Sequence, residues 1–95
     1  MDKTDAITIT WTDYMRHRTG IRGFDLGTIE KIIRYSTERY FDKASLRSVI
    51  VGKHDNNLVL IQYDKTDNEI IPVTVHATTR QQINFRLKTG RYVNE

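Results

Sequence analysis

Val73-Thr74-Val75-His76-Ala77-Thr78-Thr79-Arg80-Gln81-Gln82-Ile83-Asn84-Phe85-Arg86-Leu87-Lys88-Thr89-Gly90-Arg91-Tyr92 changes period half-way along, from strand to helix. The alternation of apolar and polar residues extends back to Glu69, so Glu69 to His76 reads as a strand. Ile71, Val73 and Val75 share the side expected under the helices, and Thr74 and His76 point to the other side with Ile70 and Pro72. Thr78 and Gln81 stand at capping-box spacing, which starts a helix. Ile83 and Leu87 anchor that helix, Arg80, Asn84 and Lys88 form its polar stripe, and Gly90 ends it. His76 thus lies at a strand end on the open face, with Arg80 in the helix turn beside it.

Upstream of this junction the chain reads as a meander. Pro72 cannot donate to a ladder, so its strand is expected at an edge or with a bulge. Asp64 to Asn68 makes a turn; Leu58-Val59-Leu60-Ile61, apolar on both faces, marks a central strand; Asp55-Asn56-Asn57 makes a second turn. Leu46 to Lys53 alternates as a strand, Asp42 to Ser45 turns, and Arg39-Tyr40-Phe41 makes a short strand. Leu26, Ile29, Ile32 and Ile33 fall on one face of a helix capped by Asp25, with Glu30 and Arg34 paired on its exposed side. Thr12 or Thr10 caps a shorter helix over Asp13 to Thr19, which Gly20 and Gly23 close, and Ala6 to Trp11 alternates as a first strand. The expected fold is α+β: an antiparallel sheet of four to five strands in the order β-α-α-β-β-β-β-α, with helices on one face.

Ninety-five residues with one Pro, five Gly and 38% apolar content suit one domain over 1–95, with residues 1–5 expected to be flexible. With no cysteine, disulfide scaffolds, thiolate metal sites and Cys nucleophiles are excluded. No apolar run suggests a signal peptide or a membrane span, so a cytoplasmic protein without membrane partners is expected. The net charge of +3 is uneven. Arg16, Arg18 and Arg22 cluster near one end, Arg80, Arg86, Lys88 and Arg91 near the other, and Asp55, Asp64, Asp67 and Glu69 lie between. Such a chain can present one positive face to a phosphate backbone or an acidic partner; a solvated surface is the alternative.

Trp11, then Gly23-Phe24-Asp25-Leu26, then Arg47 five residues before Gly52, then the Leu58–Tyr63 strand, and finally Val73 to Arg80, together resemble the BrnT-type branch of the RelE/ParE toxin superfamily. The chain is also similar to a neighbouring domain family that carries a His and an Arg in its first helix, as His17 and Arg18 are here. The resemblance implies a RelE/ParE-like fold and the toxin of a type II toxin-antitoxin system, a basic endoribonuclease that needs no metal or other cofactor. It implies RNA as substrate and an antitoxin, encoded by an adjacent gene, as partner in a hetero-oligomer. Where the BrnT pattern has an Arg at its strand end, this chain has His76, so no catalytic Arg is carried over to that position. A non-catalytic binding module of the same fold, acting on a protein target, is the alternative.

RNA cleavage without a metal needs a base for the ribose 2′-OH, cations for the phosphorane charge and a proton for the leaving oxygen. His76 and Arg80 are the catalytic candidates, since His changes charge near neutral pH and Arg80 stands beside it. Their structural alternatives are a half-buried His bonded to the helix turn and a solvated helix Arg. Arg16, His17, Arg18, Arg47, Lys53, Arg91 and Tyr92 are candidates for binding RNA or a partner. Val49 and Val51 between Arg47 and Lys53 suggest instead a core strand with charged ends. A site shared by His17, His54 and His76 is not supported by their spacing, and no metal is expected.

Overall fold

The computed structural model describes residues 7–95. The expected flexible stretch 1–5, and Ala6 at the start of the first expected strand, lie outside the described residues. The elements are β1 (Thr8–Ile9), α1 (Asp13–Ile21), α2 (Leu26–Tyr35), β2 (Arg39–Asp42), β3 (Arg47–His54), β4 (Asn57–Lys65), β5 (Glu69–Ala77), α3 (Arg80–Lys88) and β6 (Tyr92–Asn94). The α+β class holds, but the sheet has six strands rather than four or five, in the order β1-β5-β4-β3-β2-β6. The extra strand, β6, follows Gly90 and pairs antiparallel with β2 through Tyr92 opposite Asp42. Three residues carry too little alternation to announce a strand, and only pairing with β2 makes one. The sheet is also mixed, because β1 lies parallel to β5.

The helices do not share one face. Met15 of α1 and Ile29, Ile32 and Ile33 of α2 pack with Ile50, Val59, Ile61, Tyr63, Ile70 and Val75. Ile83 of α3 packs on the opposite side with Val49, Val51, Leu60 and Tyr92. The reason lies in β3 and β4, whose Val49-Ile50-Val51 and Val59-Leu60-Ile61 runs are buried on both faces and so require a layer on each. Gly52 lets α2 approach β3: a Cβ there would lie 2.5 Å from Ile32 Cγ2.

β5 contains the irregularity that Pro72 foretold. Thr74 pairs with Gln62 but Pro72 with Tyr63, so Val73 is an extra residue in a bulge. One extra residue reverses side-chain parity, and the expected facing of the first half of β5 is thereby corrected. Ile70 joins Val75 in the core under α1 and α2, while Thr74 and His76 keep the opposite face.

The caps explain where the helices begin. Thr12 accepts from Met15 N–H at 3.1 Å, and Asp25 from Thr28 N–H at 2.8 Å. α3 starts one residue later than expected: Thr79, not Thr78, accepts from the amide of Gln82, and the Thr78 hydroxyl donates to the Gln82 side chain at 3.0 Å. Gly20 lies inside α1, and the chain turns at Gly23, whose φ of +77° suits glycine. Glu30 accepts from the Trp11 indole at 3.3 Å and Arg34 donates to the Ile7 carbonyl at 2.9 Å, so both tie α2 to the residues flanking β1, which is shorter than the strand expected up to Trp11. No helix of the described residues is long and apolar enough to cross a membrane.

Candidate functional site

α3 covers only part of its face of the sheet. Ile83 and Leu87 close over the valines of β3, and a polar band on β4 and β5 stays beside the helix. The band starts at His76, which lies opposite Leu60 in register and is half-buried. Burial pushes the His76 imidazole below its ordinary pKa, and the positive charges of Arg22 and Arg86 push it the same way. Both arginines are held by the fold. Arg22, the residue that ends α1, donates to the Val75 carbonyl. Arg86 donates to the Tyr92 hydroxyl at 2.8 Å and lies over its ring, 5.4 Å from the centroid.

From His76 the band runs across three strands. The Thr74 hydroxyl donates to Gln62 Oε1 at 3.2 Å, and Gln62 Nε2 donates to Asp42 Oδ2 at 3.4 Å. The Asp42 side chain is wholly buried. Its carboxylate accepts two bonds from Arg91, at 2.9 and 3.0 Å, one from the Ala44 amide at 2.9 Å and one from the Ser45 hydroxyl at 2.9 Å. Burial would raise its pKa, but the bonds from Arg91, Ala44 and Ser45 outweigh burial and hold it at about 2. Arg86 and Arg91 also line an open groove of about 640 Å³ along α3, where Phe85 stands 65% exposed beside Gln82 and Thr89.

Of the residues singled out from the sequence, His76 stands at the start of this band. Arg80 is spent elsewhere: its guanidinium grips both oxygens of Glu38, which also accepts from the Tyr40 hydroxyl at 2.7 Å. That grip pins the first turn of α3 to the segment before β2, and the cations acting on His76 are Arg22 and Arg86 instead. Arg91 is bound to Asp42, and Tyr92 is a core residue that stacks on Tyr40 at 5.8 Å and positions Arg86. Arg47 and Lys53 share the face of Val49 and Val51 but sit at opposite ends of β3; Arg47 pairs with Asp64 at 3.1 Å and Lys53 is exposed. Arg16 and His17 are exposed on α1, and Arg18 lies over the Tyr14 ring at 5.9 Å.

Arg22 and Arg86 are the functional candidates that sequence reasoning passed over. Arg22 was read only as part of a basic cluster and of a helix stop between two glycines, and Arg86 lies one turn beyond Gln82 on the helix side away from the Arg80 stripe. His54 proves structural: its Nε2 accepts from the Asp25 amide at 2.8 Å, closing the start of α2. Among the described residues no three His, Cys, Asp or Glu side chains come together as a metal-ligand group.

A neutral imidazole can accept a proton, and guanidinium groups whose charge reaches it, here Arg22 and Arg86, can take up charge developing on a phosphate. The band therefore combines a base with cations, next to a groove bearing an exposed aromatic ring. Comparison of the chain with protein-family models, with curated proteins and with solved structures gave no match.

Proposed function

We propose that this protein is a metal-independent endoribonuclease of RelE/ParE-like fold, the toxin of a type II toxin-antitoxin pair acting in the cytoplasm. The single observation that carries the reading is the half-buried His76 at the edge of the polar band, held towards its neutral form by burial and by the positive charges of Arg22 and Arg86. His76 takes the proton of a ribose 2′-OH, the freed oxygen attacks the adjacent phosphorus, and Arg22 and Arg86 hold the phosphorane charge. The P–O5′ bond then breaks, O5′ takes a proton from solvent, and a 2′,3′-cyclic phosphate and a 5′-hydroxyl remain. Arg80 positions α3 through Glu38, and Arg91 positions the band through Asp42.

Support for an antitoxin partner comes from α1. Tyr14 and Ile21, two turns apart on one side of α1, are each 65% exposed, and Arg18 lies over the Tyr14 ring. An acidic amphipathic segment complements such a surface, with binding that weakens as salt rises. A binding module without catalysis is the second reading, favoured by the pairing of Arg80 and Arg91 with internal carboxylates. Incubation with single-stranded RNA in EDTA separates the two. Cleavage that falls by about 100-fold or more in His76→Ala supports the nuclease. Intact RNA with the unaltered protein overturns it.

A further inference from the structure

Phe85 is a large apolar side chain that neither layer of the core uses. It packs in neither cluster and stands exposed on the side of α3 opposite the buried Ile83. A lone exposed ring is ordinary on a protein surface. This one lies instead in the open groove of about 640 Å³ along α3, a volume within the range of ligand sites.

The groove is lined by amides, hydroxyls and two arginines, and by no carboxylate. Arg91 is matched by Asp42, which fixes its position, so it adds shape and little net charge. Arg86 makes no ion pair among the described residues; its bond goes to the neutral Tyr92 hydroxyl at 2.8 Å. Gln82 accepts from the Thr78 hydroxyl through Oε1, which leaves its Nε2 to donate, and Gln81 is exposed. Arg86 also joins the groove to the polar band, because its charge reaches His76. An extended strand with one phosphate at Arg86 therefore has its neighbouring residue along α3, beside Phe85.

We infer that the α3 groove is a nucleobase subsite, in which an unpaired base next to the phosphate held by Arg86 stacks on Phe85 while Gln81 and Gln82 meet its edge. The inference rests on the nuclease reading of His76, from which it takes a nucleic acid as the occupant. An aromatic ring stacks on any base, so the subsite selects unpaired strands before it selects sequence. A base inside a duplex must first leave its stack, which costs free energy. A bare phosphate leaves Phe85 in water, and a neutral apolar ligand leaves Arg86 without a counter-charge.

Phe85→Trp places a fluorescent reporter in the groove. A single-stranded oligodeoxynucleotide of about ten residues supplies bases and phosphates without the 2′-OH that the cut requires, so binding is read apart from chemistry. Saturable quenching of the new indole is expected, with a Kd on the order of 100 μM or tighter at about 50 mM salt. The unaltered protein, whose Trp11 packs on the other layer, should show no such quenching, and a duplex should not quench Phe85→Trp. By anisotropy, an abasic strand of the same length should bind about tenfold more weakly, as should the intact strand to Phe85→Leu. Tyr35→Leu, which alters an exposed aromatic of α2, should change nothing. Phe85 is exposed, so its variants should fold, which thermal unfolding checks. Equal affinity for the abasic strand, unchanged affinity in Phe85→Leu, or no saturation up to about 1 mM overturns the proposal. The two readings fail separately. RNA left intact beside a quench that requires bases removes the nuclease and keeps the subsite, whereas RNA cut equally well by Phe85→Leu, with no quench in Phe85→Trp, removes the subsite and keeps the nuclease.

Discussion

Replacing Asp42 with Asn tests the frame on which the polar band is mounted. The Asp42 carboxylate is wholly buried and its pKa stands at about 2 against an ordinary 3.8. A displacement of nearly two units corresponds to about 2 kcal/mol of stability at neutral pH. Arg91 is 40% exposed, so solvent screens part of its attraction and the figure is an upper value for the ionic contribution. Because the folded pKa is depressed, the contribution is complete above about pH 4 and disappears as pH falls through about 2. Asn keeps the shape and one acceptor but not the charge. Urea unfolding at neutral pH should therefore show Asp42→Asn about 1–2 kcal/mol less stable than the unaltered protein, with the gap closing between about pH 4 and pH 2. A gap of equal size at pH 7 and pH 2.5, or none at pH 7, refutes the reasoning.

Gly52→Ala should cost about 1–3 kcal/mol, because the new methyl meets the β-branched and therefore stiff Ile32; Ile32→Ala in the same chain should show strong coupling in a thermal double-mutant cycle. His54→Leu removes the acceptor of the Asp25 amide and should cost about 1–3 kcal/mol, with faster amide exchange at the start of α2 as the specific readout. Arg86→Gln should raise the His76 pKa towards 6.5, read from the imidazole proton shifts, while Arg80→Gln leaves it in place. The same lowered pKa makes His76 destabilising to protonate: its contribution to stability is lost as pH falls below about 6.5 through the folded value, the opposite of a His that gains an acidic partner.

Much of the architecture was legible before any coordinates because local signals agreed. The Asp25 cap, the Ile29, Ile32 and Ile33 stripe and the turn at Asp55 follow from short-range chemistry and recur in the structure. Even the two-layer cover was implicit, since β3 and β4 are apolar on both sides, but the choice of face for α3 depended on a helix with only Ile83 and Leu87 to declare it. The facing of Ile70 failed for a different reason. A bulge at Val73 reverses parity, and Pro72 signalled an irregularity without saying on which residue it would fall. Thr78 and Thr79 both had the oxygen a cap requires, so spacing alone could not choose between them.

The site was legible only as a location. His76 was found from strand alternation near a helix start, which the register with Leu60 keeps on the α3 face. Its cationic partners were not, because Arg22 arrives from 54 residues earlier in the chain through its bond to Val75, and no local pattern encodes that approach. Asp42 read only as the first residue of a turn, yet it is the buried acceptor that orders Arg91 and Gln62. Several residues behind the toxin resemblance do structural work: Trp11 bonds Glu30, Asp25 caps α2 and Gly52 admits Ile32. They favour a fold more than a chemistry.

The measurement that bears most directly on the proposed function is end-group analysis of RNA treated with the purified protein in EDTA, beside His76→Ala and Arg86→Ala. The account predicts fragments ending in 2′,3′-cyclic phosphate, formed about 100-fold or more slowly by His76→Ala and also slowed in Arg86→Ala. RNA left intact, or cut equally well by all three proteins, contradicts it.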